Sequence, residues 1–140
     1  MKIYSGLLGI FLLGAQISGA SSSDSNVLLF TNGVQATFQW EKGPVSEEES
    51  ILEMQLSRLA DQSPVDAYSV PVVSVSMPAM GHGSSPTSVQ RMLDSDGNSI
   101  TGFYKVVGIY LVMKGQWDIS LTLKNKDETL ETKYFSVNVN

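Results

Sequence analysis

Trp117-Asp118-Ile119-Ser120-Leu121-Thr122-Leu123 alternates apolar and polar residues without a break. A β-strand projects successive side chains to opposite faces, so a period of two puts Trp117, Ile119, Leu121 and Leu123 on one side. Asp118, Ser120 and Thr122 then face the other way. One face belongs in a core and the other in water, which is the signature of a strand in an antiparallel sheet covered on one side.

Similar runs lie on either side of it. Val34 to Trp40 alternates and stops at Lys42-Gly43-Pro44. Leu52, Met54 and Leu56 alternate with Glu53, Gln55 and Ser57. In Val70 to Met77, Val73 and Val75 alternate with Ser74 and Ser76. Thr87 to Leu93 follows a Gly/Ser/Pro loop, Ile100 to Met113 forms a long run, and Tyr134 to Val139 closes the chain. Turn residues sit between the runs: Asp96-Gly97, Lys114-Gly115 and Asn125-Lys126-Asp127. About seven short strands at this spacing predict an all-β protein, an immunoglobulin-like antiparallel β-sandwich. The expected core includes Phe38, Leu52, Met54, Val73, Val75, Tyr104, Val106, Trp117, Ile119 and Leu121.

One segment admits two readings. Ser46-Glu47-Glu48-Glu49 has the spacing of a helix capping box, and Leu52, Leu56 and Leu59 fit a helical stripe. The strand reading is preferred because the rest of the chain is so rich in β signals.

With 140 residues and 42 % hydrophobic content, the chain supports one domain with a real core. Its first twenty residues differ from the rest. Lys2 precedes an apolar stretch from Leu7 to Ala15, and Ser18-Gly19-Ala20 supplies the small residues of a cleavage site. The apolar stretch is shorter than the roughly 20 residues a membrane span needs. The expected organisation is a signal peptide over 1–20, a flexible lead-in over 21–33 and a sandwich domain over 34–140. The product would be periplasmic or secreted, with no stable membrane anchor after cleavage.

The chain has 9 basic and 14 acidic residues, a net charge of −5. Without basic patches it is not expected to bind nucleic acid. It has no cysteine, so an exported sandwich must be held without disulfides.

Met77-Pro78-Ala79-Met80-Gly81-His82-Gly83 is the stretch with the most unusual chemistry. It gathers two thioethers and the chain's one histidine where a strand ends. Thioethers are soft ligands and imidazole suits copper, so the set favours Cu(I). The bland alternative is that a methionine at a strand end plugs the core and a loop histidine is solvated. In a sandwich of this strand order the loops after the third and fifth strands share one end. Met113 is then expected near Met77, Met80 and His82, with Trp117 shielding the ion. A methionine packed beside Trp117 is the alternative for Met113.

The pieces Met77-Pro78-Ala79-Met80-Gly81-His82-Gly83, Gly102-Phe103-Tyr104 and Leu111 to Ile119, with Gly43 and Pro64-Val65-Asp66-Ala67, resemble the YtkA-like/FixH-like family over about Thr37 to Val139. The resemblance implies an exported or membrane-tethered immunoglobulin-like domain, with copper handling suspected for some members. It carries over Met77, Met80, His82 and Met113. The long transmembrane helix of the FixH type is missing.

Other chemistry is poorly supported. There is no G-x-S-x-G elbow, no P-loop and no dinucleotide fingerprint. Asp94-Ser95-Asp96-Gly97-Asn98 lacks the sixth-position glycine and the closing glutamate of a calcium loop and reads as a turn. The expected function is a copper-binding or copper-delivery module, not an enzyme, that hands Cu(I) to an accepting protein. The rival is a metal-free protein–protein interaction module; an enzyme using His82 as base is a weaker third.

Overall fold

A computed structural model describes residues 26–140. The expected signal peptide and the first part of the lead-in lie outside them. Nine strands follow in order: β1 Val27–Leu29, β2 Val34–Lys42, β3 Ser50–Arg58, β4 Val72–Met77, β5 His82–Gly83, β6 Ser88–Leu93, β7 Ser99–Ile109, β8 Gly115–Lys124 and β9 Leu130–Val139. They form two antiparallel sheets, ordered β1-β2-β3-β7-β6 and β5-β4-β8-β9. In immunoglobulin terms β2, β3, β7 and β6 take the A, B, E and D places. β5, β4, β8 and β9 take C′, C, F and G. The immunoglobulin-like sandwich is therefore the fold.

All ten expected core residues are buried. Trp117, Ile119, Leu121 and Leu123 line the inner face of β8, as their alternation requires. Across the interior, the Phe38 and Phe135 ring centroids stand 4.8 Å apart and join the two sheets. The segment with two readings is strand β3: Leu52, Met54 and Leu56 are all buried. Glu49, from the acidic run before it, caps nothing helical and instead accepts a 2.7 Å hydrogen bond from the Gly108 amide.

Two boundaries are corrected. The sandwich begins before residue 34, because β1 pairs with β2 and both Leu28 and Phe30 are buried. Three residues are too few to show alternation, and a serine-rich segment precedes them. The long run expected to end at Met113 stops as a strand at Ile109. Tyr110 to Lys114 forms a loop, with Leu111 turned fully inward.

β7 crosses close to its neighbours at Gly102, where φ is +80°. A Cβ there would stand 2.6 Å from the Leu56 carbonyl oxygen. Only glycine allows both that φ and that approach.

Candidate functional site

The candidate site occupies the end of the sandwich where β4 stops and β8 starts. The two strands are antiparallel, with Ser76 opposite Asp118, so Met77 closes β4 beside the first residues of β8. Pro78 then opens a single 3₁₀ turn through Met80, since its fixed φ suits a first helical position. Gly81, at φ +66°, ends that turn with its amide donating to the Pro78 carbonyl at 3.2 Å. The chain reverses into β5, where His82 pairs with Met77 and Gly83 with Ser76.

The loop from β7 reaches the same end. Its Tyr110 amide donates a long 3.4 Å hydrogen bond to Ser84 Oγ, two residues beyond His82. Its far side is held by Trp117, whose indole Nε1 donates to the Met113 carbonyl at 2.9 Å. The ε-methyl of Met77 lies 3.1 Å from where a Cβ would stand at Gly115. Met77, Gly115, Trp117 and the Met113 backbone are thus one connected group, and the 3₁₀ turn bearing Met80 packs against β8.

The expected residues therefore share one end of the fold, but in different environments. Met80 is 53 % exposed and Met113 37 % exposed, so both side chains stand at the surface. Met77 is 4 % exposed and belongs to the core cluster, as the bland reading of a strand-end methionine has it. Trp117 is fully buried, so it acts from beneath as a tether of the loop. Beside the two open methionines, Tyr110 and Val112 are also exposed, Val112 by 67 %.

Among the described residues no group of three or more His, Cys, Asp or Glu could hold a metal ion. The thioethers and the one imidazole at this end are a donor set suited to a soft ion and poor for a hard one. A group of interacting charges lies elsewhere, on the outer face of the larger sheet. Lys105 Nζ stands 2.9 Å from Glu41 Oε1, and Glu53 is directly opposite Lys105. The hydrogen bond from Lys105 holds Glu41 below its ordinary value. Burial, helped by hydrogen bonding and charge from Glu41, pushes Glu53 up.

Sequence reasoning missed the links that assemble the site. Ser84, Gly115 and the indole-to-carbonyl bond of Trp117 connect residues across the fold by single hydrogen bonds or close contacts, which leave no periodic signal. It also missed a cluster at the opposite end of β4, where Arg91 pairs with Asp66 at 2.9 Å and stacks over Tyr104. Among the described residues, no helix is long and apolar enough to cross a membrane.

No protein-family model matches the sequence, and no curated protein matches it. The YtkA-like/FixH-like resemblance thus has no support from either comparison. A solved structure is similar: a DUF4426 family protein from Pseudomonas aeruginosa, 14 % identical, with a TM-score of 0.55 over 81 % of this chain and 96 % of that one. At that identity the likeness is one of fold, and the chain is similar to a β-rich protein of nearly the same extent.

Proposed function

We propose that this chain is an exported copper-binding or copper-delivery module, not an enzyme, whose donors are Met80, Met113 and His82 over the buried Met77. The observation that carries the reading is the placement of two exposed methionines, Met80 and Met113, at the end of the sandwich that also carries the chain's one histidine. Thioethers need no deprotonation, so such a site holds Cu(I) over a wide pH range. An open site suits transfer to an accepting protein. The resemblance of the Met-Pro-x-Met and Met-x-Gly-x-Trp pieces to the YtkA-like/FixH-like family agrees with this reading. The leader over 1–20 agrees with a periplasmic or secreted location.

The test is competition for Cu(I) between the protein, starting at Ser21, and a chromophoric Cu(I) chelator. The protein should withdraw about one equivalent of copper from the chelator. A chelator that keeps all its copper removes the reading.

A second reading rests on Tyr110 and Val112, exposed beside Met80 and Met113. Exposed apolar side chains in one place mark interaction surfaces, and methionine suits adaptable ones. On this reading the same end docks a protein without metal. Replacing Val112 by Ser would weaken docking of a protein partner and leave Cu(I) affinity alone.

A further inference from the structure

At the start of β4, the end of that strand away from Met77, lies a cleft of about 290 Å³. Tyr68, Val70 and Pro71, from the segment leading into β4, line it together with Val89 and Arg91 of β6 and Tyr104 of β7. We propose that this cleft binds a small aliphatic carboxylate, with Arg91 receiving the charged end.

The guanidinium is fixed before any ligand arrives. Its Nη2 donates to Asp66 Oδ1 at 2.9 Å, and its central carbon lies 5.3 Å from the centroid of the Tyr104 ring. Both supports are themselves held. The same Asp66 oxygen accepts the Gly102 amide at 2.8 Å, and the Tyr104 hydroxyl accepts the Ala67 amide at 3.0 Å. Among the described residues, the bond to Asp66 is the one hydrogen bond of the Arg91 side chain. A guanidinium carries five N–H donors in a planar fork, which matches a carboxylate with two oxygens side by side. Fixing that fork in advance removes much of the ordering cost of binding.

The rest of the cleft selects the other end of the ligand. Apart from Ser69 and Arg91 its lining is aliphatic and aromatic, and Tyr68 and Val70 are 56 % and 74 % exposed. A clasp between this segment and β6 needs only the Asp66–Arg91 pair, and it gives no reason to turn those two side chains outward. The volume falls just below the roughly 300 Å³ at which drug-sized ligand pockets begin, so the ligand is a short chain. The proposal stands apart from the methionine end and from the copper reading.

The experiment is titration of the protein with hexanoate, hexanamide and acetate, followed by the NMR shifts of the Val70 and Val89 methyl groups. Hexanoate should give saturable shifts. Hexanamide, with the chain but no charge, and acetate, with the charge but little chain, should each bind about tenfold or more weakly. Arg91→Gln should abolish the hexanoate response, and Arg91→Lys should restore part of it, with an unchanged thermal melt reporting an intact fold. Hexanamide binding as well as hexanoate would overturn the proposal, as would shifts that rise linearly without saturating. If Arg91→Gln does not fold, the comparison of ligands on the unaltered protein decides the matter alone.

Discussion

The indole nitrogen of Trp117 donates a 2.9 Å hydrogen bond to the carbonyl of Met113, four residues earlier, from a fully buried position. One residue thereby serves two levels of the structure. Its ring fills the core beneath β8, and its single donor fixes the loop that offers Met113 to solvent.

Trp117→Phe separates these roles. The aromatic volume largely remains, but the Met113 carbonyl loses its partner, which costs about 0.5–1.5 kcal/mol. Trp117→Ala also empties the core and should cost about 3–5 kcal/mol. Urea denaturation of the two variants should reproduce that order. Equal midpoints would mean that the hydrogen bond, not the ring, dominates.

A chain that begins at residue 34 should be less stable than one that begins at residue 26. It loses β1 with the buried Leu28 and Phe30, each worth about 1.5–3 kcal/mol in transfer before the entropy of ordering is subtracted. It also loses the bond from Thr31 Oγ1 to Glu131 Oε1 at 2.8 Å, which links the turn after β1 to β9. Thermal melts of the two chains check this, and coincident melts would show that β1 adds nothing.

The carboxylates of Glu41 and Glu53 should respond to pH with opposite signs. Burial and Glu41 raise Glu53, so its contribution to stability is present below the ordinary value of 4.5 and is lost as pH rises through its folded value. Glu53→Gln should therefore raise the denaturation midpoint at about pH 7 and have little effect at about pH 3. Glu41 is lowered by Lys105, so its contribution is present above 4.5 and lost as pH falls through its folded value. Glu41→Gln should lower the midpoint at neutral pH only. Midpoints of both variants at the two pH values check the signs.

Much of the fold was legible because period-two alternation survives any rearrangement of the loops. Each of the seven expected strands is present, and the ten expected core residues follow from their alternation alone. β1 and β5 were not legible, since three and two residues carry no period, and what fixes them is pairing with β2 and β4. The end of β7 was misread because Leu111, Val112 and Met113 are as apolar as a strand. Leu111 points inward from a loop that Trp117 holds. For the site, topology brought the expected residues to one end. The burial of Met77 was legible in its phase, continuing Val73 and Val75 on the inner face of β4, whereas Met80 lies past Pro78 in a turn where that period no longer applies.

The most direct measurement on the proposed copper site is X-ray absorption at the copper edge of the Cu(I)-loaded protein, with Met80→Leu and Met113→Leu beside it. Leucine and methionine have similar volumes, so the fold should stand in both variants. The unaltered protein should show sulfur neighbours at about 2.3 Å, taking thiolate–zinc as a guide, and each variant should lose part of that signal. A spectrum of nitrogen and oxygen neighbours alone, or a sulfur signal indifferent to both substitutions, would contradict the account.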